Sequence, residues 1–246
     1  MIKKRYVLRR WVIILFICIS IMGILFSGIH LLIWMKDISS NSKIQKQTSQ
    51  YIALNVDQKQ IEYHIDFQSL KKQNQDTVGY LKVKGTNIDY VVVQGKDNLY
   101  YLSHNFNHDI NREGWVFVDY RNLLDGNDRN LIIYGHNTND GSMFGSLKNI
   151  LYEDWYSDLN NHMIDFVTEN GISKYQVFSV YRIYKEDYYI QTEFEDSYYR
   201  DFLQTLLNRS FYDFGVSLTE EDSILTLSSC AENSSMRIVL HAKKIS

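Results

Sequence analysis

The chain opens polar and basic, then runs from Trp11 to Met35 as WVIILFICISIMGILFSGIHLLIWM, 25 residues without Asp, Glu, Lys or Arg. At about 1.5 Å rise per residue, a helix of that run exceeds the ~30 Å hydrocarbon core of a bilayer. A cleaved signal carries a shorter apolar region, about 7–15 residues, closed by a small-x-small site. The nearest match, Ser27-Gly28, lies inside the run and is followed by more apolar residues. The pattern predicts one transmembrane anchor over 11–35. Residues 36–65 turn polar, rich in Gln, Ser and Lys, and are expected to form a juxtamembrane stalk. DFQSLKKQNQ (66–75), apolar only at Phe67 and Leu70, predicts a short surface helix.

From there the period changes. VGYLKVK (78–84), IDYVVVQ (88–94), WVFVDY (115–120), NLIIYG (130–135), MIDFVT (163–168), KYQVFSVYRIY (174–184), SILTLSS (223–229) and MRIVLHAKK (236–244) are β-branched and aromatic, with turn residues between most of them. Gly85-Thr86-Asn87 separates the first two as a hairpin loop. Eight short strands of this kind predict a mostly β domain, a closed barrel or a sandwich. One segment departs: Tyr198, Tyr199, Phe202, Leu203, Leu206 and Leu207 make a helical stripe over 195–209, with Thr192 and Glu195 spaced as a capping box.

Charge refines the membrane prediction. Five of the 26 basic residues (Lys3, Lys4, Arg5, Arg9, Arg10) lie in the first ten positions, leaving 21 against 29 acidic residues in the remainder. The basic tip (1–10) before the span places the N-terminus in the cytoplasm and the domain at 66–246 outside the cell. Outside that tip no basic surplus exists to neutralise phosphates, so nucleic acid is excluded as the main partner. Two cysteines, Cys18 in the apolar run and Cys230 downstream, exclude a disulfide framework and a Cys-rich zinc site. DGND (125–128) and NTND (137–140) lack the spacing of a calcium loop and are turns. No Gly-rich phosphate loop is present. Neither a metal nor a cofactor is expected.

Chemistry gathers at three positions. Cys230 ends a predicted strand, on the alternating face of Ile224, Thr226 and Ser228, and meets the polar loop AENSS. A lone cysteine is ordinarily a small buried hydrophobe, but the strand-to-loop position opens this one to a substrate. Arg237 opens the next strand after a six-residue loop, across the same hairpin mouth. Its fixed cation suits an oxyanion or a substrate carbonyl. His136 follows a strand and precedes a turn, where a rigid sheet holds catalytic loops. An imidazole there lowers a thiol pKa and returns a proton to a leaving amine. His241 shares the face of Arg237 but lies about 13 Å along the strand, and His64, His104, His108 and His162 occupy polar stretches and are expected to be solvated. Spacing alone points to a Cys–His hydrolase or transferase and leaves the histidine open.

TLSSC (226–230) followed by RIVLHAKK (237–244) resembles the nucleophile strand and last strand of the sortases, and LIIYGHNTNDGSMFGSL (131–147) resembles the segment carrying their histidine. VGYLKVKGTNIDYVVVQGKDNLYYLSHNF (78–106) and the helix inserted before the nucleophile strand are similar to class B sortases. The likeness runs in order over roughly 66–245. It implies a closed eight-stranded β-barrel with an N-terminal helix, and a membrane-anchored cysteine transpeptidase of Gram-positive bacteria. On that resemblance Cys230 is the nucleophile, His136 its acid/base partner and Arg237 the positioning or oxyanion cation. Ser228 is implied to help line the site, and Glu232 to take the acidic place that some class B members have after the cysteine. The family cleaves a C-terminal sorting motif after Thr through a thioacyl intermediate, class B favouring an Asn-Pro-x-Thr type. Implied partners are sorting-signal-bearing surface proteins and a peptidoglycan precursor or other amine acceptor.

The loop between Cys230 and Arg237 is shorter than in several class B relatives, and the chain has no proline where they often carry it. An L,D-transpeptidase would place Arg two residues past Cys with Gly before it; here Arg237 is seven past Cys230. A papain-like peptidase usually presents Cys before His, the reverse of this order. An anchored binding or scaffold protein is the non-enzymatic alternative and would leave Cys230 dispensable.

Overall fold

The computed structural model describes residues 10–57, 60–184, 186–230 and 236–246. Most of the basic tip (1–9) and Glu232 therefore lie outside the described residues. The chain divides into two compact units, Met1–Ser40 and Asn41–Ser246. Helix α1 (Arg10–Thr48) begins in the first and ends in the second. In the first unit, large apolar side chains such as Leu15, Phe16, Phe26 and Leu32 are exposed around the helix. It is the one helix among the described residues long and apolar enough to cross a membrane.

The second unit starts earlier than the polar composition suggests. Ile44 is buried, and Asn41 donates to the Gly114 carbonyl at 3.1 Å and exchanges amide bonds with Asn111. The segment expected as stalk therefore belongs in part to the folded unit. It ends in a hairpin of β1 (Ile52–Asp57) and β2 (Gln60–Ile65). Helix α2 (Phe67–Gln73) follows as expected, capped by the Asp66 carboxylate on the Ser69 N–H, with Phe67 and Leu70 buried.

Eight strands close a barrel: β3 (Thr77–Val83), β4 (Asp89–Val93), β5 (Phe117–Val118), β6 (Asn130–His136), β7 (Met163–Thr168), β8 (Gly171–Tyr184), β9 (Ile224–Cys230) and β10 (Met236–Lys244). Their order around the barrel is β10-β8-β7-β3-β4-β5-β6-β9. β4–β5 and β6–β9 run parallel and the other neighbours antiparallel. Each coincides with a run identified from the sequence, though WVFVDY pairs only at Phe117–Val118. Trp115 instead sends its backbone N–H to Tyr101 and its indole N–H to Val91, which bends the segment out of the ladder.

β6 is buried at every position and β9 at every position but Cys230, so both faces are covered. Inside lie Val92, Ile133, Leu225, Leu227 and Leu240. Outside, α4 (Asp196–Asn208) packs Tyr199, Phe202, Leu203 and Leu206 on Phe178, Tyr181 and Val239. Burying each such side chain stabilises by about 1.5–3 kcal/mol. Of the stripe read from sequence, Tyr199, Phe202, Leu203 and Leu206 pack and Leu207 is partly covered, whereas Tyr198 at its start stays exposed. The capping box does not form: the cap is Glu195, without a side-chain bond, and its carbonyl takes the Tyr198 and Tyr199 N–H groups.

Candidate active site

Three adjacent strands set the site. β6 and β9 run parallel in unbroken register from Asn130↔Ile224 to His136↔Cys230, so the histidine and the cysteine end neighbouring strands in one row. The Asn137 N–H donates to the Cys230 carbonyl at 2.7 Å and continues the ladder. On the other side β10 pairs with β9 from Val239↔Ser228 to Lys243↔Ile224. That register carried two residues further sets Arg237 opposite Cys230. Strands lie about 4.7–4.9 Å apart, and side chains of one row share a face. His136, Cys230 and Arg237 thus stand side by side at one end of the barrel.

Cys230 is partly exposed. His136 is 6% exposed, and its Nε2 lies 2.8 Å from the Leu102 carbonyl oxygen. A carbonyl only accepts, so Nε2 carries the proton. The bond fixes tautomer and ring orientation, the service a carboxylate performs in other catalytic sites. Gly114 packs against the ring: a Cβ there would meet His136 Cδ2 at 3.0 Å and the Tyr101 carbonyl at 2.3 Å.

Arg237 is half-buried. Its Nη1 donates to the Tyr189 hydroxyl at 3.3 Å and lies 3.7 Å from Asp187. Burial disfavours its charge, but the Tyr189 hydroxyl, Cys230 and Asp187 outweigh that and raise its pKa. The buried Tyr189 hydroxyl also bonds Ser228 Oγ at 2.9 Å. Ser228 is fully buried and so sits beneath the site rather than on its lining. Ser229 Oγ accepts the Ile238 N–H at 2.8 Å, closing the β9–β10 mouth just below Cys230.

The other histidines separate cleanly. His241 is fully buried between the Tyr181 hydroxyl and Thr226 Oγ1, both at 2.8 Å, and burial lowers its pKa to about 3. It is a neutral core residue. His64 and His108 are exposed, and His104 stacks on Tyr100 with centroids 4.1 Å apart. His162 is not solvated as expected: it packs among Trp155, Tyr156 and Phe214 and bonds the Tyr156 carbonyl.

Several neighbours carried no sequence signal. Beyond Tyr189 and the Leu102 carbonyl, these are Tyr134 on β6 and the Asp119–Arg121 pair it bonds. Tyr134 is kept protonated by burial, by Asp119 and by the nearby cysteine. A cleft lined by Leu124, Asp128, Tyr175 and Lys244 opens where β6 and β9 begin, at the opposite end of the barrel, and holds none of these groups. Among the described residues no cluster of three or more His, Cys, Asp or Glu side chains is arranged to hold a metal.

A closed barrel with cysteine, histidine and arginine abreast on three strand ends defines a cysteine transpeptidase of the sortase type, and the sortase domain family model matches residues 81–245. The chain belongs to the sortase family, within class B. It is 43% identical over 168 residues to sortase B of Listeria monocytogenes, 67% of each chain. Sortase B from B. anthracis, crystallised in complex with AAEK1, superposes with a TM-score of 0.75 at 33% identity, covering 86% of this chain and 99% of that one. A Staphylococcus aureus sortase B–substrate complex gives a TM-score of 0.72 at 33% identity, over 86% and 97%. Enzymes of this family join sorting-signal substrates to amine acceptors at the cell surface.

Proposed function

We propose that this sortase is anchored by residues 11–35 with residues 1–10 in the cytoplasm. Its outer domain, 66–246 with the packed part of 36–65, cleaves an Asn-Pro-x-Thr or related sorting motif after Thr. The observation that carries the site assignment is the pairing of His136 with Cys230 at the ends of β6 and β9, with Arg237 on β10 close enough to interact with the cysteine.

In this reading the Cys230 thiolate attacks the Thr carbonyl carbon. The carbonyl oxygen takes up the negative charge, which the Arg237 guanidinium meets; removal of one such donor typically costs about 10²–10³ in kcat. His136, with Nε2 held by Leu102, gives its Nδ1 proton to the leaving amine as the C–N bond breaks. A thioacyl enzyme remains. An amine of the peptidoglycan precursor then attacks the thioester, Nδ1 takes its proton, and the Cys230 thiolate leaves. No cofactor takes part, and water serves as the poor substitute for the amine.

The experiment is cleavage of quenched fluorescent sorting peptides by the full chain in detergent micelles, beside Cys230→Ala, His136→Ala and Arg237→Ala. Motif-dependent cleavage that disappears in Cys230→Ala supports the reading. Cleavage that survives in Cys230→Ala refutes it.

A further inference from the structure

Asp119 is a fully buried carboxylate among polar groups that no sequence pattern marks. Arg121 grips it through Nε at 2.8 Å and Nη2 at 2.7 Å. The Tyr134 hydroxyl and the Asn98 amide both donate to its Oδ2 at 2.9 Å. Burial opposes the charge, but the bonds from Arg121 and Tyr134 and the nearby guanidinium charge hold the carboxyl below its usual range. Arg121 is 36% exposed, and its Nη2 also donates to the Ile190 carbonyl at 2.8 Å.

Those bonds end on both sides of the reacting groups. Asn98 begins the short segment that ends at Leu102, whose carbonyl orients His136. Ile190 follows Tyr189, whose hydroxyl receives Arg237. Tyr134 lies on β6 two residues before His136. Ordinary fold stabilisation asks only that the carboxylate be paired. The second bond of Arg121, from an otherwise accessible guanidinium to the backbone beside Tyr189, goes beyond that.

We infer that Asp119 and Arg121 form a positioning pair that clamps the 98–102 and 189–190 segments together, holding His136 and Arg237 in register with Cys230. The inference rests on the catalytic roles proposed above. Neither residue of the pair touches the reacting atoms. Releasing the clamp lets Arg237 move away from the developing charge, and misplacement by about 1 Å costs on the order of 10²-fold in rate.

The test uses the full chain in detergent micelles and the same peptide assay. Arg121→Met is expected to lower kcat about 10- to 100-fold while KM changes less than about threefold. Tyr189→Phe removes the hydroxyl between Arg237 and Ser228 and is expected to lower kcat less. In that background Arg121→Met is expected to add less than about threefold, because residues acting as a unit are not additive. Arg121→Lys keeps a cation on Asp119 without the second arm to Ile190, and carries the test should the Met variant not fold; it is expected to lose about 10-fold. Wild-type kcat in the folded Lys or Met variant would overturn the inference, as would full multiplicative loss in the Tyr189→Phe background. Cys230→Ala and His136→Ala run beside them. Retained cleavage there sinks the catalytic assignment itself, whereas silence there with wild-type activity in Arg121→Met sinks only the clamp.

Discussion

Gly114 stands where the backbone meets the site most tightly, and replacing it with alanine tests the packing around His136. Its φ is +55°, and an added Cβ would lie 2.3 Å from the Tyr101 carbonyl oxygen, with the Leu102 oxygen and His136 Cδ2 each at 3.0 Å. The left-handed conformation costs about 1–2 kcal/mol for a residue with a Cβ. Forcing a methyl into packed backbone adds about 1–3 kcal/mol. Moving the Tyr101 carbonyl weakens its 2.9 Å bond from the Trp115 N–H, worth about 1 kcal/mol. The expected loss is therefore about 3–6 kcal/mol, or roughly 6–24 °C in Tm for a unit of this size. Gly126 supplies the comparison, with φ +91° and nothing within 4 Å of where an added methyl would sit. Gly126→Ala should lose only the conformational part, about 1–2 kcal/mol. Urea unfolding reads both variants, and peptide cleavage reads whether the Leu102 carbonyl still holds the imidazole. Equal losses in the two variants, with cleavage by Gly114→Ala undiminished, would refute the claim that this contact fixes His136.

His241 gives the fold a pH dependence of known sign. Its folded pKa is about 3, so between there and about 6.5 the unfolded chain binds a proton that the folded one does not. Its contribution is complete above pH 6.5 and is lost as pH falls towards 3, with a slope of at most about 1.4 kcal/mol per unit. Urea midpoints of His241→Gln from pH 4 to 6 should slope less than wild type; identical slopes would contradict the assignment. At the N-terminus, a chain beginning at residue 36 should stay soluble, folded and active. One beginning at residue 66 loses the Asn41 bonds and the burial of Ile44, and should melt roughly 10 °C lower. Equal melting temperatures would show that residues 41–65 contribute nothing to the barrel.

The barrel strands were legible because β-branched and aromatic runs are what a pleated, covered surface selects, and turn residues separated most of them. β1 and β2 were not, since IALNVD and QIEYHI lie in a polar stretch and mix polar residues into both runs. Helix α4 showed its packed face through Tyr199, Phe202, Leu203 and Leu206, but not its cap, which depends on backbone bonds to the Glu195 carbonyl. The proposed trio Cys230, His136 and Arg237 could be singled out from motif and strand-end position. Their supports could not: the Leu102 carbonyl has no side-chain signature, and Tyr189 is one of 19 tyrosines. Ser228 was legible as a neighbour of Cys230 in alternation, but whether its hydroxyl faces a substrate or the Tyr189 hydroxyl is settled only by what crosses above β9.

That polar seam on β9 explains how the row of three is kept. A one-residue slip of a strand turns every side chain to the opposite face, so placing Cys230 beside His136 demands a unique register. Apolar positions discriminate poorly here, because β6 and β9 are covered on both faces and a slipped Leu or Ile still finds apolar surroundings. Hydroxyls discriminate well. Thr226 donates to Asn130 Oδ1 at 2.6 Å and bonds His241, while Ser228 bonds Tyr189. Asn130, at the start of β6, spends its amide hydrogens on the Tyr189 and Gln191 carbonyls. Slipping β9 by one residue would leave these groups buried and unpaired, at about 1–3 kcal/mol each. The same bonds that penalise the slip tie β6, β9, β10 and the Tyr189 segment into one unit. The register that aligns the thiol with the imidazole is thus enforced by the groups that seat Arg237.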